Sequence, residues 1–186
     1  MRFLFLNWRC PTHPNGGGAE RLTLRIAERL VGWGHSVTWL AAEYPGAARE
    51  EVINGIQIVR RGSQATVHLR AYGWYRRHGR GQFDAVIDEI NTIPFFAHRY
   101  AGVPAVAFVM QLAREVWWYE AALPLAALGY VLEPLYLLAY QTSPVVTISS
   151  SSAESLSAHG LSGPIDIIPM ATDFEPEPVL PALMEK

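Results

Sequence analysis

Short apolar runs rich in valine, isoleucine and aromatic residues alternate along this chain with longer stretches of helical periodicity. Seven of these runs are predicted as strands: residues 3–7, 36–42, 55–60, 85–88, 104–110, 144–149 and 165–168. The runs are almost continuously apolar rather than alternating, which is typical of strands covered on both faces. The pattern therefore predicts an α/β fold with a doubly wound, mostly parallel sheet of seven strands.

The helix between the first two strands shows the clearest periodicity. Ala19, Leu22, Ile26 and Leu30 recur at helical spacing beside a stripe of arginines, which predicts an amphipathic helix packed on the sheet. Gly34 suits the left-handed position after the helix end. Near the other end of the chain, Ser151 and Glu154 have the spacing of a capping box that would begin another helix.

The last residues have a different composition. Residues 174–186 contain three prolines in a short stretch with several acids and no periodicity, which is typical of a linker. We therefore expect one domain over residues 1–173, followed by a linker over residues 174–186 that leads toward another domain.

Charge is distributed unevenly, although the net charge is only −2. Residues 1–80 contain twelve arginines and five glutamates, whereas residues 81–186 contain three bases and twelve acids. Such an uneven distribution of charge along the chain is typical of a basic face that binds phosphates or anionic lipid, or of a solvated arginine-rich surface. The single cysteine, Cys10, excludes an internal disulfide and a cysteine-based zinc site, which fits a cytoplasmic protein.

A glycine loop follows the first strand and leads directly into the first helix. It consists of Gly16, Gly17 and Gly18, followed by Glu20 in the first helical turn. Free N–H groups and the dipole at a helix start favour a phosphate at such a place, and the alternative is a flexible turn without a ligand. A dinucleotide fingerprint would need a third glycine at Arg21, so an oxidoreductase is a weaker reading.

Polar residues also follow two later strands. Asp88, Glu89 and Asn91 lie where the fourth predicted strand ends, and Gln111 and Arg114 follow the fifth. Ligands of open parallel sheets bind beyond the carboxyl ends of the strands, so these residues could bind acceptor hydroxyls. The alternatives are a helix cap for Glu89 or Asn91 and an ion pair with Glu115 for Arg114.

Two further segments suggest surface functions. Residues 116–140 are rich in tryptophan, tyrosine and leucine, but their longest uncharged run is twelve residues, too short to span a membrane. They could form buried helices or lie peripherally at the inner face of a membrane. Residues 70–80 mix arginines with aromatic residues, yet no nucleic-acid-binding motif accompanies them, so no nucleic-acid partner is expected.

Taken together, these residues resemble a known family. The first strand, Gly16 to Arg21, the helix end at Gly34 and the stretch 165–169 resemble the N-terminal domain of retaining glycosyltransferases of family 4. The resemblance covers nearly the whole chain. The stretches 88–91 and 111–117 are similar to a bacterial and archaeal subgroup of that family.

The resemblance implies a Rossmann-like domain that forms one half of a GT-B glycosyltransferase. This half would bind a saccharide or lipid-linked acceptor, while an absent C-terminal domain would bind most of the nucleotide-sugar donor. No metal or other cofactor is implied. The glycine loop would approach the donor diphosphate. Members of the family commonly carry a histidine where this chain has Met110 and Gln111, so the catalytic residue is unknown and a non-catalytic, saccharide-binding or partner-binding half is the alternative.

Overall fold

The computed structural model describes residues 1–114, 117–120 and 123–169, apart from the side chains at 120 and 125. Within these residues one sheet of eight strands forms the centre of the molecule. The strands are β1 Arg2–Leu6, β2 Ser36–Ala41, β3 Glu50–Ile53, β4 Ile56–Arg60, β5 Ala85–Glu89, β6 Ala105–Phe108, β7 Val145–Thr147 and β8 Ile165–Ile167.

The strand order is β3-β4-β2-β1-β5-β6-β7-β8, and every neighbouring pair is parallel except β3 and β4. The predicted α/β class and mostly parallel, doubly wound sheet are confirmed. The predicted number of strands was wrong, because β3 was missed. This strand forms a hairpin with β4 through Asn54 and Gly55, which both have positive φ angles. An Asn-Gly pair is the usual signal of such a turn.

Alternate residues of the central strands pack against helices on opposite faces of the sheet. Phe5 and Trp39 pack on helix α1, Gly18–Gly32. Leu4 and Leu40 pack on helix α2, Val67–Trp74, which continues as a π-helical turn over Tyr75–Gly79. We call this second face the α2 side. It also carries α4, Leu123–Leu137, and α5, Ser150–Ala158. Both helices pack there in a hydrophobic cluster around Ala107 and Val145.

Helix α1 buries a different stripe from the predicted one. Glu20, Thr23 and Ala27 are its buried residues, while Leu22, Ile26 and Leu30 are only partly buried. Small side chains let the helix approach the sheet closely, and Glu20 is buried because its carboxylate caps the helix. The predicted helix end is confirmed, since Gly34 has φ +82°.

Helix α5 begins earlier than predicted. Its N-cap is Ser149 rather than Ser151, and the Ser149 hydroxyl accepts a hydrogen bond of 3.1 Å from the N–H of Ser152. The capping box predicted at Ser151 and Glu154 is therefore wrong. The domain boundary predicted at residue 173 and the linker 174–186 lie outside the described residues.

Candidate functional site

The sheet reverses its order beside β1, which lies between β2 and β5. The chain moves outward from β1 in one direction through β2 and β4, and in the other through β5 to β8. In open parallel sheets such a reversal opens a crevice beyond the carboxyl ends of the two central strands. The glycine loop follows β1, and Glu89 and Asn91 lie at the end of β5, so the fold brings these predicted residues together.

The glycine loop is tightly folded. The N–H of Gly16 donates to the carbonyl of His13 at 2.8 Å, and a Cβ at residue 16 would lie 3.0 Å from that oxygen. A side chain at this position would crowd the carbonyl of His13 and force the loop to shift. Gly16 therefore fixes the path by which the chain reaches helix α1.

Helix α1 caps its own start. The carboxylate of Glu20 accepts a 2.6 Å hydrogen bond from the N–H of Gly17, which the sequence pattern had assigned to a phosphate. The N–H groups of Gly18, Ala19 and Glu20 have no acceptor among the described residues, as expected in a first helical turn. The helix start thus offers free donors for an anion but keeps a negative charge beside them.

This arrangement predicts that Glu20→Gln binds inorganic pyrophosphate more tightly. Glutamine can keep the cap through its amide oxygen while removing a charge about 5 Å from the anion, so we expect a gain of about fourfold in water. NMR titration of the amide signals of Gly18 and Ala19 measures this affinity. Glu28→Gln, two turns along the same helix, is the matched control and should leave the affinity unchanged. An equal gain in both variants would contradict a site at the helix start.

A buried arginine holds the loop from the other side. Arg60, at the end of β4, is fully buried and donates to the hydroxyl of Thr12 at 2.9 Å, the sulfur of Cys10 at 3.2 Å and the carbonyl of Ala48. It also forms an ion pair with Glu51 of the hairpin. The positive charge is therefore neutralised within the protein, and its role is to hold residues 10–12 in place.

Glu89 lies beneath the crevice in a buried polar network. One carboxyl oxygen, Oε2, accepts hydrogen bonds from the side chains of Asn7 at 2.6 Å and Thr23 at 2.9 Å. The side-chain oxygen of Asn7 in turn accepts from the amide of Asn91 at 3.1 Å and from the N–H of Arg9. The ends of β1 and β5 and the first turns of α1 are thus connected through one carboxyl group.

The second oxygen of Glu89, Oε1, is buried without a hydrogen-bond partner among the described residues. Burial raises the pKa of Glu89 well above its usual range, and the negative charges of Glu20 and Asp88 raise it further. A protonated carboxyl group has a donor to offer, which an ionised one lacks. Burial therefore favours the protonated form of Glu89.

The pKa shift predicts how Glu89→Gln changes stability with pH. The folded protein holds a proton that the unfolded chain releases above its pKa of about 4.3, so wild-type stability falls as pH rises, by about 1.4 kcal/mol per pH unit up to the folded pKa. Glutamine has no proton to release. The free energy of unfolding of the variant relative to wild type should therefore increase with pH in urea titrations, and a difference that is constant from pH 4 to 7 would contradict it.

Asp88 points to the opposite face from Glu89. Its side chain is buried, and its two oxygens accept hydrogen bonds from the N–H groups of Phe95 at 3.0 Å and Ala97 at 2.9 Å and from the hydroxyl of Tyr140 at 2.7 Å. The structure therefore places Asp88 in the interior rather than in the crevice. It holds the loop that leads from β5 into the short 3₁₀ turn Ala97–Arg99.

Gln111 and Arg114 follow β6, which β5 separates from β1 and its glycine loop. Gln111 is exposed. Arg114 donates to the hydroxyl of Tyr130 at 2.7 Å and lies over its ring, and its predicted partner Glu115 lies outside the described residues. The buried carboxylate of Glu133 accepts the N–H groups of Ala113 at 2.6 Å and Arg114 at 2.7 Å, which fixes this segment.

Binding of the sugar acceptor remains a prediction for Asn91, Gln111 and Arg114, whose side chains are at least partly exposed. Asp88 and Glu89 are buried and would influence an acceptor through the loops that they hold. The sequence interpretation missed Asn7, Thr23 and Glu133. Asn7 could have been found, because it directly follows β1 beside the end of β5. The contact of Glu133 with the segment after β6 has no local sequence signal.

A second depression lies outside this site. It has a volume of about 450 Å³, is open to solvent and is lined by residues that include Arg2, Ser36, Arg61, His78 and Gln82. Its arginines are paired, Arg2 with Asp84 and Arg61 with Glu50. The paired charges make it a poor site for an anion. No group of three or more His, Cys, Asp or Glu in the described part of the chain is placed to hold a metal ion.

Solved structures with this fold include two forms of sucrose-phosphate synthase from Thermosynechococcus elongatus. The longer form superposes with a TM-score of 0.63 over 92% of this chain and 48% of the synthase chain, at 11% identity. The shorter form superposes with a TM-score of 0.60 over 93% of this chain and 91% of the shorter synthase chain, at 9% identity. The chain thus spans about half the length of the longer synthase. No curated protein sequence matches it significantly.

The sequence itself gives the more specific match. The profile of Glycosyltransferase Family 4 covers residues 16–175, from the glycine loop past β8. This range contains most of the chain and all of the predicted site residues. The resemblance found from individual motifs is confirmed, and the chain belongs to glycosyltransferase family 4.

Proposed function

We propose that this chain is the acceptor-side half of a retaining glycosyltransferase. The complete enzyme would transfer a sugar from a nucleotide-sugar donor to a hydroxyl group of a saccharide or of a lipid-linked acceptor. Family membership supports the transferase chemistry. The location of the proposed site, beyond the carboxyl ends of β1 and β5, is where ligands of such sheets bind.

One observation carries most of this proposal. The first turn of α1 presents the free N–H groups of Gly18, Ala19 and Glu20 directly above the network of Glu89 and Asn7. A helix start with free donors is suited to the diphosphate of a sugar nucleotide. The buried Glu89 and Thr23 would hold these donors in place while the acceptor lies beside Asn91 and Gln111.

Another domain would bind most of the nucleotide-sugar donor. The chain aligns with 48% of the longer synthase, so a partner half is consistent with the size of that neighbour. The glycine loop by itself offers a few backbone hydrogen bonds, each contributing about 0.5–1.5 kcal/mol net. We therefore propose that the isolated chain is inactive and that a second domain completes the enzyme in the cytoplasm.

A second candidate function is a non-catalytic half that binds a saccharide or a partner subunit. Met110 and Gln111 favour it, because neither side chain can act as a general base. The carbonyl of Met110 accepts a hydrogen bond of 2.8 Å from the hydroxyl of Ser152, which ties this segment to α5. Sugar transfer after addition of a donor domain separates the two functions.

Acceptor binding is tested by NMR titration of the chain with a panel of saccharides and water-soluble glycolipids. We expect shifts centred on Asn91, Gln111 and Arg114, and a loss of at least about fivefold in affinity for Asn91→Ala, since a hydrogen bond contributes about 1 kcal/mol. Ser36→Ala, at the opposite end of the sheet, is the matched control. Ligand shifts that cluster away from the carboxyl ends of β5 and β6 would contradict the proposal.

A further inference from the structure

The outer face of helix α4 is apolar and exposed to solvent. Its exposed residues are all uncharged, and Val131 and Leu135 are 64% and 60% exposed. Among the described side chains, the other large exposed ones of this helix and the turn after it are Leu123, Leu128, Leu132 and Leu138. The only charged residue of α4, Glu133, points inward. Soluble monomers rarely leave such a contiguous apolar stripe in water.

Two aromatic residues extend this face. Trp118 and Tyr119 of the short helix α3, Trp117–Glu120, are 45% and 88% exposed, and Trp118 packs against the ring of Tyr130 in α4. Tryptophan and tyrosine combine an apolar ring with a polar group, and they are enriched where protein meets the boundary between lipid and water. Of the two alternatives for residues 116–140, buried helices or a peripheral position at a membrane, the exposed outer face of α4 favours the second.

The register of the sheet shows which other elements share this side. Val86 and Asp88 of β5 point to one face, and Asp88 pairs with Ala107, which in turn pairs with Val145. Val86 packs with α2, while Ala107 and Val145 pack with the end of α4. Helices α2 and α4 therefore lie on the same side of the sheet, the α2 side.

The α2 side is also positively charged. Its exposed arginines are Arg70, Arg76, Arg77, Arg80 and Arg99. Between residues 61 and 122 there are five acids: Asp88 and Glu89 are buried, Asp84 is paired with Arg2, and Glu115 and Glu120 stand on either side of the aromatic residues of α3 in the sequence. Glu154 is an exposed acid on α5, which lies beyond α4 as seen from α2. Exposed arginines beside an uncharged apolar stripe are complementary to an anionic lipid surface.

We propose that the α2 side adsorbs to an anionic lipid bilayer, with the outer face of α4, Trp118 and Tyr119 in the interface and the arginines against the headgroups. The described residues include no helix long and apolar enough to cross a membrane. Fifteen residues of α4 extend about 22 Å, against about 30 Å of hydrocarbon, so the helix would lie along the surface. A protein partner would fit the apolar stripe but would leave the surrounding arginines without a role.

Sedimentation with vesicles tests this proposal without sugar transfer, so the result is independent of the proposed function. The whole chain should sediment with vesicles that contain equal parts of phosphatidylcholine and phosphatidylglycerol, and less with phosphatidylcholine alone. Raising the salt concentration should weaken binding, since surface electrostatics are screened. Arg77→Gln should lower the partition constant about fivefold, the effect of one base near an anionic surface. Arg29→Gln, on α1 at the opposite face, should not change it.

The apolar contribution is tested by the double variant Val131→Gln/Leu135→Gln, which should bind at least about tenfold more weakly, because two buried aliphatic side chains are lost from the interface. Trp33→Gln, an exposed apolar residue at the end of α1, is the control. Circular dichroism should show that all four variants are folded. Absence of wild-type binding at low salt, or full binding by the double variant, would overturn the proposal. Self-association that the double variant abolishes, without vesicle binding, would instead identify an interface between copies.

Discussion

Replacing Asp88 with alanine should lower the free energy of unfolding by at least about 3 kcal/mol, because three buried donors lose their acceptor and each unsatisfied group costs about 1–3 kcal/mol. These donors are the N–H groups of Phe95 and Ala97 and the hydroxyl of Tyr140. The loop after β5 would lose its attachment to the sheet. Urea denaturation followed by circular dichroism measures the change.

Two matched variants make this prediction specific. Asp84→Ala, immediately before the same strand, removes an exposed ion pair with Arg2 and should change stability little, because exposed pairs contribute little. Tyr140→Phe removes one of the three donors and leaves the N–H of Phe96 without its acceptor, so it should cost less than Asp88→Ala, which leaves three donors unsatisfied. If Asp88→Ala were as stable as Asp84→Ala, the buried network around Asp88 would not hold the loop.

Replacing Glu133 with alanine should lower the free energy of unfolding by about 3 kcal/mol or more. The carboxylate accepts two backbone N–H groups, those of Ala113 and Arg114, and hydrogen bonds to a charged group contribute about 1.5–3 kcal/mol each. The segment that carries Gln111 would then lose its contact with α4. Acceptor binding should weaken together with stability.

The control for this variant is Glu154→Ala on α5, which removes an exposed carboxylate of the same type. Its free energy of unfolding should stay within about 0.5 kcal/mol of wild type. The free energy of unfolding of Glu133→Gln should lie between those of wild type and Glu133→Ala, because glutamine keeps one side-chain oxygen that can accept a hydrogen bond. A Glu133→Ala variant as stable as Glu154→Ala would contradict the prediction, because the two hydrogen bonds would then not stabilise the segment after β6.

The class of fold could be predicted from the sequence because seven strands are marked by nearly continuous apolar runs. Strand β3 was missed because Glu50 and Glu51 give it a charged, half-exposed pattern at the edge of the sheet. The Asn54 and Gly55 turn was a signal for it that could have been used. Edge strands are defined by their pairing as much as by their own residues, so apolar runs alone do not reveal them.

The candidate site was predictable in place but not in detail. The ends of β1 and β5 follow from the apolar runs, and so does the glycine loop between β1 and α1. The sequence does not predict on which face of the sheet the side chains of Asp88 and Glu89 lie, because strands covered on both faces show no alternation of apolar and polar residues. The contacts of Asp88 with Tyr140 and of Glu133 with Ala113 join residues that are 52 and 20 positions apart. Such contacts depend on helix packing, which leaves no local pattern.

The exposed face of α4 shows the same limit. Its density of leucine and tyrosine is equally consistent with a buried helix and with an interfacial one, since composition does not say which face is covered. The structure distinguishes them through Glu133, which points inward and thereby turns Val131 and Leu135 outward. The buried position of Glu133 thus identifies the face of α4 that carries Val131 and Leu135 as the exposed one.

The acceptor-side assignment is tested most directly by calorimetric titration of residues 1–186 with a panel of nucleotide-sugars. The few hydrogen bonds that the start of α1 can offer must overcome an association cost of at least about 4 kcal/mol, so dissociation constants should be about 1 mM or weaker. We expect the chain to unfold cooperatively nevertheless, because its described residues form buried clusters on both faces of one sheet. Micromolar binding of any nucleotide-sugar by this chain would show that the donor site lies in this half, and would contradict the assignment.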